Sequence, residues 1–187
     1  MTTATLAAER GTTHWSIDPS HTHVGFGVRH LMISTVKGRF AEVTGTVSLE
    51  NEDPGTAKID VTIDVASIDT GVSQRDDHLR SPDFFDVARF PTLAFKSRRI
   101  ERAGADALRV TGDLTIRDVT REVQLDVMEL GSVRDPWGGQ RAGYSASARI
   151  NRSDFGLSWN QALETGGFVV GDEVALTLEV ELVRASE

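Results

Sequence analysis

Apolar and polar residues alternate along most of this chain, and this period of two constrains its fold more than any other feature. After the turn-forming triplet Asp53-Pro54-Gly55, residues 58–65 place Ile and Val on one face and Lys, Asp and Thr on the other. Such alternation is typical of a β-strand with one buried face and one face in water. The same pattern recurs at 24–28, 36–40, 43–49, 92–96, 108–116, 123–127, 144–150 and 174–182.

Most of these strands follow one another without a helix between them, which predicts antiparallel pairing because parallel strands need long crossover connections. Long strands also leave unpaired edges, and closure into a barrel removes those edges. We therefore predict an all-β fold, an extended antiparallel eight-stranded barrel that can hold one small ligand. The small residues on its inward faces either leave space or fit a tapering core, and the pattern leaves both open. They are Gly38, Gly45, Gly112, Ala146 and Ala148.

A short helical insert between the two β halves interrupts this pattern. Ser73 is placed to cap a helix over residues 73–80, with Asp76 at the capping-box spacing, and Ser81-Pro82 can start a further turn. Phe84 and Phe85 follow directly. The insert is predicted to be a lid or plug that Arg75 and Asp76 tie to the strands, or, equally, a crossover helix packed over an ordinary core.

One long connection, residues 151–171, carries more large apolar side chains than a solvated loop needs. Phe155, Leu157, Trp159 and Phe168 lie there among Gly and polar residues. The pattern indicates either a segment tucked over one end of the barrel or part of the mouth of a ligand site.

Charge and composition exclude several classes of function. The chain has 187 residues, a net charge of −8 and no cysteine. An acidic chain lacks the basic face that nucleic-acid binding or docking on anionic lipid requires, and without cysteine there are neither disulfides nor thiolate chemistry. No stretch reaches the length of a membrane span. With no signal peptide visible at its start, the chain is expected to be cytoplasmic, with a disordered tail at 1–13 and a single domain at 14–187.

Nine stretches, taken in order along the chain, form a recognisable set: 15–26, His30-Leu31, 38–45, Ile68-Asp69-Thr70, 75–86, Phe90-Pro91, Phe95, 112–120 and 151–156. Together they resemble the YceI-like family of polyisoprenoid-binding, lipocalin-like proteins. The resemblance implies a lipocalin-like barrel whose apolar lumen holds a long isoprenoid or fatty chain, for transport, storage or sequestration. It also implies a homodimer. Many relatives look like exported proteins, whereas the start of this chain shows no export signal.

Ten residues on the inward faces and in the insert are predicted to line the ligand site. For each of them the alternative is ordinary packing in a filled core. They are Phe26, Val28, Phe40, Ile63, Phe84, Phe85, Phe95, Leu114, Leu125 and Tyr144.

The alternative function is an enzyme acting on an isoprenoid or on a metal-bound substrate. His21 and His23 lie on one face of a predicted strand, a spacing that can ligate zinc. However, neither a third ligand at a recognisable spacing nor a nucleophile elbow, phosphate-binding loop or dinucleotide motif accompanies them. We therefore expect structural histidines, and neither a metal nor a cofactor nor a catalytic residue.

Overall fold

A computed structural model describes residues 11–164 and 166–185. The described residues form eleven strands and one α-helix, with short 3-10 turns between some of them. The elements are β1 (Thr12–Ile17), β2 (His23–His30), β3 (Ser34–Phe40), β4 (Val43–Glu50), β5 (Lys58–Asp64), β6 (Ile68–Asp69), α1 (Ser73–Arg80), β7 (Thr92–Arg102), β8 (Ala107–Ile116), β9 (Val119–Arg134), β10 (Gln140–Asn151) and β11 (Val170–Arg184).

The strands form a closed antiparallel barrel with eight wall positions. Around the barrel the order is β1, β4, β5, β7, β8, β9, β10 and β11, and β11 pairs back to β1. The three remaining strands extend the sheet at one edge. β2 pairs with β11 beyond the part of β11 that pairs with β1, β3 pairs with β2, and β6 pairs with β3. The predicted eight-stranded barrel with a helical insert is therefore confirmed.

The first strand begins earlier than the sequence indicated. Thr12 and Thr13, assigned to the disordered tail, pair with Glu50 and Leu49 of β4. Backbone pairing with a neighbouring strand fixes these two polar residues, although they contribute no apolar pattern. Of the rest of the predicted tail, Gly11 is described and residues 1–10 lie outside the described residues.

The two ends of the barrel are built differently. One end, here called the lid end, carries α1, the following segment 81–91 and the loop 152–169. The other, the hairpin end, carries the turns β4–β5, β7–β8 and β9–β10. The main buried core lies in the barrel and under the lid, and a smaller cluster around Trp15, Ala142 and Leu182 lies towards the hairpin end.

Helix α1 has the predicted bounds but not the predicted cap. Val72 is the N-cap residue and makes no side-chain cap, so the Ser73 capping box is wrong. The carboxylate of Asp76 instead accepts hydrogen bonds from the backbone N–H (2.9 Å) and the hydroxyl (2.5 Å) of Thr70. Arg80 anchors the other end by donating to the carbonyls of Ala66 and Ile68. In the described part of the chain, no helix has the length and apolar character that crossing a membrane needs.

Candidate ligand-binding site

The barrel encloses a cavity of about 740 Å³. Its wall is formed mainly by Val, Leu, Ile and Phe side chains from the strands, together with residues of α1 and the segments at the lid end. All ten residues predicted from the sequence lie on this wall. The volume is within the range of roughly 300–1,000 Å³ that small-molecule sites occupy, so the barrel is hollow.

Glycine on the inner face does not by itself produce this space. A Cβ atom built on Gly112 would lie 2.6 Å from the ring of Phe95, and one on Gly38 would meet the ring of Phe26. These glycines therefore make room for neighbouring aromatic rings.

Aromatic contacts join the lid to the strands. Phe85 meets Phe40 of β3 edge to face, with ring centroids 5.9 Å apart, and Phe40 in turn packs on Phe26 of β2 at 5.6 Å. Phe84 is buried between His78 of α1 and Trp159 of the loop, at centroid distances of 5.1 and 5.3 Å. The insert thus closes the lid end and also contributes to the cavity wall.

A buried arginine holds the loop 152–169 in place. Arg152 is only 4% exposed and donates to the carbonyls of Leu157 (2.6 Å), Trp159 (2.9 Å) and Gly171 (2.9 Å). Burial lowers the pKa of the Arg152 guanidinium. The neighbouring carboxylate of Asp172 acts in the opposite direction and raises it.

Both interpretations of this loop hold in part, and Leu157, which is buried and also lies on the cavity wall, fits both. Phe155 and Leu157 are buried in the core, as expected of a segment tucked over the barrel end. Trp159 lines the cavity, as expected of a mouth, whereas Phe168 is exposed.

The polar groups on the wall differ between the two ends. At the lid end they are Thr70, Arg75 and His78, with Arg29 and His30 from β2 and the buried Arg152. At the hairpin end they are Glu52, Arg102, Glu129, Ser132 and Gln140, and Thr22, just before β2, is a further polar residue of the wall. Tyr144 lies on the wall and pairs with Glu129 across β9 and β10. Burial raises the pKa of the Tyr144 hydroxyl, and the negative charge of Glu129 raises it further.

Arg75 holds the lid differently from the sequence-based expectation. Its Nε donates to the hydroxyl of Thr70 (2.7 Å) and its Nη2 to the carbonyl of Thr70 (2.9 Å). Within the described residues, Arg75 takes part in no ion pair. The predicted tie therefore consists of hydrogen bonds to Thr70, which directly follows β6, and not of salt bridges, and Arg80 adds a further bond to the carbonyl of Ile68. His78 was not predicted to line the cavity, and Trp159 was predicted only as part of a possible mouth, because contacts between segments far apart in the chain place both side chains.

The two histidines of the enzyme hypothesis do not come together. His21 lies in the turn before β2 rather than on the strand, and its Nδ1 bonds the carboxylate of Asp18 at 3.0 Å. The ring of His23 lies instead against Gly25. Among the described residues, the group with metal-ligand spacing is Asp18, His21 and Glu181.

A guanidinium already occupies the centre of this group. Arg141 donates to Asp18 at 2.7 Å, to Glu181 at 2.5 Å and to Asp135 at 2.9 Å. Hydrogen bonds from His21 and Arg141 lower the pKa of Asp18 to about 2, and the bond to Asp18 raises the pKa of His21. None of these residues lies on the cavity wall, so the cluster holds the bend between β1 and β2.

Comparison with known proteins identifies the same architecture. The model of the YceI-like domain matches residues 15–182. Protein YceI of Escherichia coli O157:H7 is 38% identical over 164 residues, which cover 88% of this chain and 82% of that protein. The structure of BcnA from Burkholderia cenocepacia aligns with a TM-score of 0.77 and 24% identity, covering 88% of this chain and 98% of that one.

A third protein has the same fold at lower identity. It is a polyisoprenoid binding domain from Saccharophagus degradans implicated in plant cell wall breakdown, with a TM-score of 0.64, 16% identity and coverage of 90% of this chain and 97% of that one. The extent of the domain match and the identity to YceI proteins lead to one conclusion: this chain belongs to the YceI-like family.

Proposed function

We propose that this protein binds a long-chain isoprenoid or another amphiphilic lipid in the lumen of its barrel, for transport, storage or sequestration. The observation that carries the proposal is the apolar cavity of about 740 Å³. Membership of the YceI-like family and the shared fold with a polyisoprenoid binding domain support the choice of ligand.

The physical chemistry of such a ligand matches an apolar tube. A prenyl or fatty chain presents hydrocarbon along most of its length and one polar end, so it needs little directional bonding. Burial of ~400 Å² of apolar surface contributes about 10 kcal/mol at ~25 cal/mol/Å². Immobilisation costs of several kcal/mol then leave an affinity in the micromolar range or tighter.

A carrier is favoured over an enzyme by the positions of the reactive side chains. The His21 cluster lies outside the cavity wall, and its acidic groups are already bonded to Arg141. Within the described residues, therefore, the alternative based on His21 and His23 has no supporting geometry. Reversible occupation of the lumen requires no chemistry from the protein.

Organic extraction of the purified protein followed by mass spectrometry tests the proposal. We expect a long-chain amphiphile at near-stoichiometric yield. A protein expressed at the same level without a lumen, purified and extracted in parallel, controls for lipid carried over from cells. An extract with no enrichment over this control would contradict the proposal.

A further inference from the structure

The β2–β3 hairpin lies in the longest stretch of this chain that has no acidic residue. From Pro19 to Ala41 the sequence contains neither Asp nor Glu, although the chain has 28 acidic residues and a net charge of −8. The same stretch carries the cations Arg29, Lys37 and Arg39. The hairpin is therefore positively charged on an acidic protein, a local exception that the net charge alone does not reveal.

Two of these cations lie beside the turn without a carboxylate partner. Neighbouring side chains of β3 line the cavity, so by strand alternation the exposed Lys37 points outward. Within the described residues, Arg29 and Lys37 take part in no ion pair, and Arg29 donates to the carbonyl of Met32 at 2.7 Å. Arg39, further from the turn, pairs with Asp69 at 3.4 Å. The outer face of the hairpin thus presents positive charge to the surroundings.

The cations of the other long stretch without acidic residues, residues 136–153, are already neutralised. That stretch contains three arginines, and each of them pairs with a carboxylate. The β2–β3 hairpin differs from it in keeping its charge available to a partner.

Two large apolar side chains occupy the tip of this hairpin. Met32 is 61% exposed and Ile33 is 80% exposed. The N–H of Leu31 donates to the carbonyl of Val169 at 2.9 Å, which fixes the turn to the loop at the lid end. Because His30 and Val169 line the cavity, the apolar tip lies beside the lid end of the lumen.

The turn keeps these side chains exposed at the expense of stability. Leu31 and Met32 both have left-handed backbone conformations, which disfavour residues other than glycine. An Asn-Gly pair would relieve this strain and would also remove apolar surface from water. Strain of this kind persists mainly at functional sites, which favours a binding role for the exposed tip.

Apolar side chains flanked by cations match the surface of a bilayer that contains anionic lipids. The apolar groups enter the boundary between head groups and acyl chains, and each Lys or Arg near the surface strengthens binding about fivefold. The acidic remainder of the protein is repelled by such a surface, which orients the hairpin towards it. A protein partner is disfavoured, because two side chains on a narrow turn offer far less than the roughly 800 Å² that each partner of a stable interface buries.

We propose that the tip of the β2–β3 hairpin docks reversibly on a lipid bilayer that contains anionic phospholipids. Met32 and Ile33 then lie in the head-group region, and Arg29 and Lys37 lie against the lipid phosphates. Docking brings the lid end of the lumen to the bilayer, where lipid enters and leaves. The docking itself needs no bound ligand, and only its use for loading the lumen rests on the proposed function.

Sedimentation with sucrose-loaded vesicles measures the docking. The full chain is mixed at low ionic strength with vesicles of phosphatidylcholine containing phosphatidylglycerol, or of phosphatidylcholine alone, at equal total lipid. We expect partitioning onto the anionic vesicles to be about 10- to 30-fold stronger, since two cations contribute about fivefold each. Added salt should weaken it by screening these charges.

Variants of the tip separate its apolar and charged contributions. Met32→Ser combined with Ile33→Ser is expected to weaken partitioning onto the anionic vesicles about 10- to 100-fold. Lys37→Gln is expected to weaken it about fivefold on the anionic vesicles alone. Leu31→Asn combined with Met32→Gly should also dock more weakly while being at least as stable as the wild type, which distinguishes lost docking from lost folding.

Matched controls lie at the hairpin end of the barrel. Trp137→Ser removes an apolar side chain that is 85% exposed, in the β9–β10 turn. Lys58→Gln removes an exposed lysine at the start of β5. Both variants should partition onto the anionic vesicles as the wild type does.

Four results would overturn the inference. They are no partitioning of the wild type onto anionic vesicles, equal partitioning onto the two kinds of vesicle, wild-type partitioning of the Met32→Ser and Ile33→Ser double variant, and loss of partitioning in Trp137→Ser, which would place the docking at the hairpin end. None of them changes the lipid recovered by organic extraction, which tests the proposed function separately. Hairpin-dependent docking of a protein that yields no lipid would support the docking and contradict the proposed function.

Discussion

At the scale of single residues, Phe84 connects the lid to the loop that covers the same end. Its ring is 7% exposed and lies between His78 and Trp159. We expect Phe84→Ala to lower the free energy of unfolding by roughly 3–5 kcal/mol through lost contacts and the cavity left behind. Since the same contacts close the lid end, lipid release should also become faster, and the loss of stability should be larger with lipid bound than after stripping.

Melting temperatures and lipid off-rates, with and without lipid, check this expectation. Phe168→Ala is the matched control, because Phe168 is in the same loop but 57% exposed, and neither quantity should change in it. An off-rate at the wild-type value in a destabilised Phe84→Ala protein would mean that Phe84 only fills the core.

Asp18 should make the stability of the barrel depend on pH in the acid range. Its pKa is about 2 in the folded protein and near 3.8 in the unfolded chain. A lowered pKa gives stability that is present above the unfolded value and lost as the pH falls through the folded one. This contribution, about 2 kcal/mol, should therefore disappear between about pH 4 and pH 2.

Urea unfolding of wild type and Asp18→Asn between pH 2 and pH 7 measures this effect. The variant should be less stable near neutrality, and the difference should shrink towards pH 2. Asp126→Asn, on the outer face of β9, serves as the control. His21 acts in the opposite direction: its raised pKa adds stability below about pH 6.5 that is lost as the pH rises through the folded value. A difference between wild type and Asp18→Asn that does not vary with pH would contradict this account.

The residues on the lumen wall were predictable to different degrees. Phe26, Ile63 and Leu114 could be placed because strand alternation alone decides which face a side chain occupies. Arg75 could not be placed, and Trp159 was expected only as part of a possible mouth, because their positions depend on hydrogen bonds with Thr70 and Arg152. Alternation carries no information about such contacts.

At the scale of elements, the turn between β2 and β3 is strained. Leu31 and Met32 have φ values of 51° and 60°, and this left-handed region costs a non-glycine residue roughly 1–2 kcal/mol. The connection has three residues, and the first two are the central residues of a type I′ turn closed by a hydrogen bond from the N–H of Ile33 to the carbonyl of His30, an arrangement that prefers Asn-Gly. Leu31→Asn combined with Met32→Gly should therefore raise the melting temperature, by about 2–4 °C for each kcal/mol released.

Differential scanning calorimetry of delipidated protein checks the turn. Met32→Ala is the control, since it removes the exposed side chain but keeps the backbone strain, and its melting temperature should stay at the wild-type value. A double variant that melts at or below the wild-type temperature would show that the turn is not a source of strain.

Helix α1 illustrates how local rules succeed and fail in one element. Its bounds, Ser73 to Arg80, follow the sequence prediction. The cap does not, because Asp76 bonds Thr70 before the helix and is no longer available for a capping box. His21 shows the same limitation: strand alternation extends through it, but its bond to Asp18 forms a turn.

At the scale of the whole molecule, the closed barrel follows from simple requirements. Long alternating strands without intervening helices need antiparallel pairing, and closure pairs every edge. Whether the barrel is hollow could not be predicted, because glycines such as Gly112 make room for rings and not for a ligand. The cavity depends on the combined geometry of all strands. The homodimer implied by the family resemblance stays a prediction.

The central claim is that a lipid chain occupies the lumen, and native mass spectrometry of lumen-blocked variants tests it most directly. Ile63→Trp and Leu114→Trp place a bulky ring on the cavity wall, while Thr62→Trp places the same ring on the exposed face of β5. Wild type and Thr62→Trp should carry a lipid adduct at the same occupancy, and the two wall variants should lose most of it with their β-sheet circular dichroism intact. Wild-type occupancy in folded Ile63→Trp and Leu114→Trp proteins would show that the lipid is not bound inside the barrel.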